Sequence, residues 1–187
     1  MSQTESITIR PATPADIPQI TAILNHYVAT SVTTFRLDPV PELTVLESYH
    51  AVRAAGLPYL VAVLASAPET VLGYTYASGY RMPSHAGYQY TVEISVFVAP
   101  GERTRGVGTA MMDALISTLR SLEGRVTQVL AVMAVDTDAV GAGYGLRDWY
   151  ARWGFQQVGH LKRVGRKLGK WIDTLFMQLS LEDEEVK

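Results

Sequence analysis

The chain has 187 residues with a formal net charge of −2, and 48% of them are hydrophobic. This length suits one domain with a full core, and the near-neutral charge balance excludes nucleic acid as the main partner. The chain contains no cysteine, which excludes disulfides, thiolate metal sites and a cysteinyl-acyl intermediate.

The hydropathy of the chain predicts a cytoplasmic protein with no membrane partner. No apolar run reaches the roughly 18 residues that a membrane-spanning helix needs. The first five residues, Met1-Ser2-Gln3-Thr4-Glu5, lack the charged and apolar regions of a signal peptide.

The first half of the chain mixes strand and helix patterns. Thr13-Pro14-Ala15-Asp16 supplies a cap, a first-turn proline and an early acid, which together start a helix. A hairpin is predicted around the turn Ser66-Ala67-Pro68-Glu69. The predicted elements of this half are strand 7–10, the helix that starts at 13–16, helix 41–55, and strands 59–64 and 71–78.

The second half continues the alternation of strands and helices. Its predicted elements are loop 79–87, strand 88–98, helix 107–122, strand 126–135, a glycine-rich connection 136–145, helix 146–153, and strands 155–163 and 171–181. No repeat or linker is present. The pattern predicts one α/β (α+β) domain over residues 7–181 around a mixed sheet, with an N-terminal tail 1–6 and an acidic tail 182–187.

A basic, glycine-bearing turn lies between the predicted strand 88–98 and helix 107–122. It reads Arg103-Thr104-Arg105-Gly106-Val107-Gly108-Thr109 and is called the glycine loop below. Backbone N–H groups and the helix dipole favour an anion there, and the two arginines add charge-assisted hydrogen bonds. The loop lacks the Lys-Ser/Thr pair of a P-loop and the spacing of a dinucleotide fingerprint. It is predicted to bind a different pyrophosphate.

Glu93 is the candidate general base. It lies in the middle of the predicted strand, between apolar residues, where desolvation would raise the pKa of its carboxyl towards a range useful for accepting a proton. Backbone N–H groups near Val96 on the same strand are candidates to stabilise charge on a carbonyl oxygen. The alternative for Glu93 is a glutamate on the open face of a strand.

Several motifs resemble those of one protein superfamily. Arg103-x-x-Gly106-x-Gly108 is similar to the acyl-CoA loop of the GNAT acetyltransferases. Over about residues 7–180, other stretches resemble the phosphinothricin and methionine-sulfoximine branch of that superfamily. They are Asn25-His26-Tyr27, Thr34-Phe35-Arg36 with Pro39, Tyr90-Thr91-Val92-Glu93, Trp153-Gly154-Phe155 and Gly169-Lys170-Trp171-Ile172-Asp173.

The resemblance implies a single-domain GNAT fold with a mixed central sheet flanked by helices. It implies acetyl-CoA as the donor, a small molecule with a primary amine as the acceptor, and a homodimer. The residues implied to hold acetyl-CoA are Val96, Phe97, Val98, Arg103, Thr104, Arg105, Gly106, Val107, Gly108 and Thr109. Glu93 takes the place of the proposed general base. Tyr150, four residues before Gly154-Phe155, matches a tyrosine that lies near the thiol, the alternative being a structural hydrogen bond.

The chain departs from this branch in two places. The branch often carries histidine where this chain has Tyr150. Family members also place an asparagine after the strand that ends here at Val135, whereas the only asparagine of this chain is Asn25. Asp136 and Asp138 are the candidates to replace it.

An aromatic and cationic pocket is predicted for the acceptor. Its candidate residues are Phe35, Arg36, Tyr80, Arg81, Tyr88 and Tyr90. Either arginine can hold a carboxylate by a bidentate pair, while core or dimer packing is the alternative for the tyrosines. The four histidines show no ligand spacing, so no metal is expected. Two other functions stay open: acetylation of a polyamine, an aminoglycoside or a protein amino group, and a non-catalytic acyl-CoA-binding domain.

Overall fold

A computed structural model describes residues 6–136 and 143–182. Its elements in chain order are β1 (Ile7–Pro11), α1 (Ile17–Thr30), α2 (Glu42–Ala54), β2 (Tyr59–Leu64), β3 (Ala67–Gly79), β4 (Thr91–Val98), α3 (Val107–Arg120), β5 (Gln128–Val135), α4 (Gly145–Ala151), β6 (Gln156–Lys167) and β7 (Lys170–Ser180). Short 3-10 turns cover Pro14–Asp16, Ala86–Tyr88 and Arg103–Arg105. Most of the predicted tails 1–6 and 182–187, and Asp138 with its neighbours at 137–142, lie outside the described residues.

The strands form one sheet in the order β1-β2-β3-β4-β5-β7-β6. Strands β4 and β5 pair in parallel, whereas β1 with β2, β2 with β3, β5 with β7 and β6 with β7 pair antiparallel. This mixed sheet confirms the predicted α/β architecture.

By internal contacts the chain divides into two compact units. The first comprises residues 1–26, 40–78 and 95–122, and the second comprises residues 27–39, 79–94 and 123–187. Helix α1 and strand β4 therefore each contribute to both units.

Aromatic stacking fills part of the core of the first unit. The rings of Tyr59 and Tyr76 stack with centroids 4.9 Å apart, and those of Tyr74 and Phe97 stack at 5.2 Å. Tyr49 of α2 meets Tyr59 edge-on at 5.5 Å. Such ring pairs add to the stability that burial of their area provides.

A second apolar cluster of the first unit fixes helix α3 against the strands. Val107 and Met111 of α3 are fully buried beside Ala62 and Leu72, and Val96 and Val98 pack against this cluster. Gly73 permits the approach, because a Cβ there would lie 2.7 Å from the carbonyl oxygen of Phe97 and 2.8 Å from Cε of Met111. The cluster thereby positions the first turn of α3.

Two predicted boundaries before α3 are wrong. The predicted turn 66–69 lies mostly within β3, because Leu64 pairs with Ala67 and only Ala65 and Ser66 connect the strands. The predicted strand 88–98 begins at Thr91 instead. Residues 86–88 form a 3-10 turn, and the Gln89 N–H donates to the Ala86 carbonyl at 3.1 Å.

The second unit carries a long hairpin formed by β6 and β7. Strand β6 runs to Lys167, four residues beyond the predicted end, and Lys167 pairs with Lys170. Leu168 and Gly169 connect the strands with positive φ angles of 50° and 78°, as a two-residue type I′ turn requires.

A buried carboxylate holds an irregularity in this hairpin. The pairing of β6 with β7 shifts register between Leu161 and Gly165. Opposite that shift, Asp173 accepts the Arg163 N–H at 2.8 Å and lies 2.7 Å from Nε2 of His160. The Arg163 N–H bond, followed by the His160 contact, holds the pKa of Asp173 below its usual value despite burial.

Candidate functional site

The glycine loop has the backbone of an anion-binding turn. Residues 103–105 form a 3-10 turn, Gly106 follows in the left-handed region at φ 77°, and α3 starts at Val107, as predicted. A Cβ on Gly106 would meet nothing within 4 Å. Glycine is therefore favoured here by the backbone angle rather than by crowding.

The charges around this helix start also suit an anion. The first helical hydrogen bond runs from the Ala110 N–H to the Gly106 carbonyl at 3.0 Å, so the preceding N–H groups of the turn have no acceptor within the helix. The first turn of α3 carries no acid, and the exposed side chains of Arg103 and Arg105 precede it. Arg105 pairs with Glu102 at 3.0 Å, which engages one of its donors.

Strand β4 leads directly into this loop. Its parallel pairing with β5 ends at Ile94 opposite Ala131, four residues before β4 itself ends at Val98. The side chains of Val96 and Val98 pack on the α3 cluster, and Phe97 stacks on Tyr74. Since these side chains are used in packing, a ligand contact by Val96, Phe97 or Val98 would be made by the main chain.

Glu93 lies on β4 as a largely desolvated carboxylate. It is half-buried between the buried residues Val92 and Ile94, and its register partner on β5 is Leu130. Burial raises the pKa of Glu93 above its usual value. A raised pKa makes the carboxylate a stronger proton acceptor, which is the property that a general base needs. Its catalytic role stays a prediction.

Tyr150 lies in the last turn of α4 and is 6% exposed. Its ring meets Trp149 and Phe155 edge-on, with centroid distances of 4.9 and 5.3 Å. Burial raises the pKa of its phenol. The hydroxyl therefore keeps its proton at neutral pH. The role of Tyr150 with a leaving thiolate stays a prediction.

Four of the six predicted acceptor residues lie in the aromatic loop, which comprises residues 80–90. The Tyr80 N–H donates to the Thr91 carbonyl at 3.0 Å and closes this loop. Tyr80 and Tyr88 meet edge-on at 5.2 Å, and the Arg81 guanidinium lies 5.9 Å from the centre of the Tyr80 ring. Tyr90, at the end of the loop, is 52% exposed.

The other two predicted acceptor residues, Phe35 and Arg36, lie in the acceptor segment, which comprises residues 31–36. Both side chains are exposed. Nζ of Lys167 donates to the Thr34 carbonyl at 2.9 Å. A Cβ on Gly165 would overlap the Phe35 ring. Sequence reasoning missed Gly165 and Lys167, because a glycine and a lysine near the end of an exposed strand carry no signal of a buried contact.

Asp136 is held by an ion pair. Its carboxylate lies 2.7 Å from Nζ of Lys170, in the strand β7 that follows the hairpin turn. Of the two aspartates considered as replacements for the family asparagine, Asp136 is thus engaged with a cation, and Asp138 lies outside the described residues.

The described residues also bear on metal ions and membranes. Within residues 6–136 and 143–182, no group of three or more histidines, aspartates and glutamates is placed to hold a metal ion. In the same part of the chain, no helix is long and apolar enough to cross a membrane.

A strand that leads through a basic turn into a helix start, with a half-buried carboxylate on that strand, is the arrangement predicted above for acyl transfer from acyl-CoA. The chain matches the acetyltransferase (GNAT) family over residues 21–155 and belongs to that family.

Individual relatives are similar over nearly the whole chain. The phosphinothricin N-acetyltransferase of Alcaligenes faecalis is 37% identical over 174 residues, which cover 93% of this chain and 82% of that protein. The L-methionine sulfoximine/L-methionine sulfone acetyltransferase of Pseudomonas paraeruginosa is 34% identical over 178 residues, which cover 95% and 96%. A crystal structure of a phosphinothricin acetyltransferase from Sinorhizobium meliloti, in complex with acetyl-CoA, has a TM-score of 0.85 at 30% identity and covers 97% of this chain and 91% of that one.

Proposed function

We propose that this chain transfers the acetyl group of acetyl-CoA directly to the primary amine of a small amino acid or amino acid analogue. The observation that carries the proposal is Glu93, a carboxylate whose pKa is raised by burial on the strand that leads into the glycine loop. The relatives named above, which acetylate phosphinothricin or methionine sulfoximine, support the choice of acceptor.

The glycine loop suits the pyrophosphate of acetyl-CoA. The N–H groups at the start of α3, which have no acceptor within the helix, and the side chains of Arg103 and Arg105 would hold the phosphates. The main chain of residues 96–98 would hold the acyl end and receive charge on the carbonyl oxygen. When bound, acetyl-CoA supplies an acetyl group activated as a thioester.

Glu93 and Tyr150 divide the proton transfers between them. The Glu93 carboxylate accepts a proton from the acceptor amine, directly or through a water, so that the nitrogen can form its bond to the acetyl carbon. The protonated Tyr150 hydroxyl donates a proton to the sulfur as the carbon–sulfur bond breaks, and the phenolate and the protonated Glu93 then exchange protons with solvent to restore both groups. The overall reaction yields an amide and a free thiol.

Recognition of the acceptor would depend on arginine. The exposed guanidinium of Arg36 or of Arg81 can bind the carboxylate of an amino acid in a bidentate pair, which would orient the amine for attack. The aromatic side chains of Phe35, Tyr88 and Tyr90 would line the same acceptor site.

The proposal extends to assembly and location. We infer one catalytic domain over residues 7–181 in a cytoplasmic homodimer, supported by the resemblance to the phosphinothricin branch. Light scattering at several protein concentrations tests the dimer, and a monomer at all of them would exclude it.

An amine panel tests the proposed function. Thiol release from acetyl-CoA is measured with phosphinothricin, methionine sulfone and methionine sulfoximine, with their methyl esters, and with spermidine, kanamycin and a short peptide. The expected result is turnover of the three free acids and a strongly reduced kcat/KM for the esters, because esterification removes the charge that arginine binds. If Arg36 or Arg81 binds the carboxylate, replacing that arginine with alanine should make kcat/KM equal for the acid and its ester.

The panel also separates the alternatives. Turnover of spermidine or kanamycin without the free acids would overturn the acceptor and keep the acetyltransferase. Binding of acetyl-CoA without turnover of any amine would favour a non-catalytic domain.

A further inference from the structure

Lys167 is a buried lysine that has no role in the proposed mechanism. Its residue is 5% exposed, although it stands at the end of strand β6. Both hydrogen bonds of its Nζ go to main-chain carbonyls, that of Thr34 at 2.9 Å and that of Tyr27 at 3.4 Å. Burial lowers the pKa of the ammonium.

The two carbonyls belong to different structures. Tyr27 lies in the last turn of α1, and its carbonyl also accepts the Ser31 N–H at 3.2 Å. The C-terminal end of a helix carries partial negative charge, so a cation is favourable there. Thr34 lies beyond the helix and immediately precedes Phe35. One ammonium therefore ties the end of α1 to the middle of the acceptor segment.

Gly165 adds a second contact from the same strand. Gly165 and Lys167 are two residues apart on β6 and so point to the same face of the sheet. A Cβ on Gly165 would overlap the ring of Phe35, and the glycine thereby leaves the space in which this ring lies. The side of β6 that binds Thr34 thus also seats Phe35.

Burying the ammonium of Lys167 costs free energy. Removing an ammonium from water costs free energy, whereas burying an apolar side chain of the same length is favourable. Methionine would fill similar space without that penalty, but it would remove the ammonium donor from the Thr34 carbonyl and leave the Tyr27 carbonyl only its bonds from Ser31. The lysine is thus suited to fixing a main-chain position rather than to filling volume.

We infer that Lys167 is a positioning residue for the acceptor: it holds residues 31–36 so that Phe35 and Arg36 meet the acceptor in one arrangement. This inference rests on the proposed function of the same site. It predicts that Lys167 governs the KM for the acceptor and leaves the KM for acetyl-CoA unchanged.

The test compares Lys167→Met with Lys162→Met, which changes an exposed lysine of the same strand. In Lys167→Met the acceptor KM should rise about tenfold, the size expected when a hydrogen bond to a charged group is lost. The KM for acetyl-CoA should stay at the wild-type value. Amide hydrogen exchange at residues 31–36 should become faster in Lys167→Met and stay unchanged in Lys162→Met.

Chemical rescue separates the ammonium from the shape of the side chain. Because the chain contains no cysteine, Lys167→Cys can be alkylated at a single thiol in the unfolded state and then refolded. Bromoethylamine forms a carbon–sulfur bond, releases bromide and leaves an ammonium at nearly the length of lysine. This product should recover the wild-type acceptor KM, whereas the neutral product of iodoacetamide should not.

Gly165→Ala provides the test if Lys167→Met fails to fold. Its methyl group would displace the Phe35 ring, which supplies the three nearest atoms, and the acceptor KM should rise with no change in the KM for acetyl-CoA.

The outcomes distinguish this inference from the proposed function. Unchanged exchange at residues 31–36 in folded Lys167→Met, an equal rise in both KM values, or an unchanged acceptor KM in Gly165→Ala would overturn it. If the wild-type protein acetylates no amine of the panel, the proposed function fails, and the exchange measurement still decides whether Lys167 fixes the segment.

Discussion

The glycine loop and the acceptor segment are built in different ways. The glycine loop is contiguous in sequence: a turn, one residue at φ 77° and a helix start provide its chemistry from neighbouring residues. The acceptor segment depends on partners far along the chain, since Thr34 is held by Lys167, 133 residues later. Donor binding therefore depends on local backbone, whereas acceptor binding depends on tertiary contacts. Variants in the two regions should change different kinetic constants.

The largest expected effect comes from replacing Glu93, which belongs to neither region. This change should alter neither acetyl-CoA binding nor acceptor binding. Glu93→Gln keeps the shape and removes the basicity, so kcat should fall about a hundredfold or more, the scale of general base catalysis. Steady-state kinetics and calorimetry with acetyl-CoA measure this. A wild-type kcat from about pH 6 to 9 would mean that another group accepts the proton.

Next in size is a change within the glycine loop. Gly108→Glu places a carboxylate in the first turn of α3, where a phosphate is expected, and should weaken acetyl-CoA binding by roughly a hundredfold through repulsion and lost contacts. Gly108→Ala is the matched control for added volume without charge. The acceptor KM at saturating acetyl-CoA should be unaffected in both. An unchanged affinity in folded Gly108→Glu would remove the loop from the donor site.

Tyr150→Phe should have a smaller effect. The phenylalanine keeps the contacts with Trp149 and Phe155 and removes only the proton donor. We expect kcat to fall about tenfold, below the usual range for general acid catalysis, because solvent can also protonate a thiolate. Rapid-mixing measurement of thiol release checks this. A full loss of activity in a folded variant would indicate a second role for the hydroxyl.

The smallest expected effect is that of Glu93→Gln on stability. This variant should lose activity but gain stability. Since burial raises the pKa of Glu93, the folded protein binds this proton more tightly than the unfolded chain does. The free energy of unfolding therefore falls as pH rises from the unfolded to the folded pKa, and the cost is complete above the folded value.

Glutamine does not ionise, so it avoids the free-energy cost of burying the ionised carboxylate. Glu93→Gln should be more stable than wild type at pH 7, and the difference should shrink below the ordinary carboxyl pKa of about 4.3. Urea unfolding at both pH values measures this. A less stable variant at pH 7 would mean that the carboxylate makes a favourable contact in the folded state.

The same division explains what the sequence could predict. The start of α3 at Val107 follows from local turn chemistry and is where it was expected, and periodicity places Glu93 within a strand, although that strand begins at Thr91. The desolvation of Glu93 was also predictable, because its neighbours Val92 and Ile94 are apolar.

Hydrogen bonds that the alternation of residue types does not reveal account for the error at the start of β4. Tyr88 and Tyr90 continue the alternation of β4, so they were assigned to the strand. In the structure the Tyr90 carbonyl accepts the N–H groups of Thr127 and Gln128, and Tyr88 ends a 3-10 turn. Lys167 gave no signal, because a sequence pattern does not reveal that an ammonium will meet the end of a helix from another part of the chain.

The distribution of aromatic residues has a spectroscopic consequence. All three tryptophans, Trp149, Trp153 and Trp171, belong to the second unit, whereas the stacked core of the first unit is built from tyrosines and Phe97. Selective excitation of indole therefore observes the second unit alone, without labels. Comparing that signal with far-ultraviolet circular dichroism during unfolding would reveal whether the two units melt in one transition or in two.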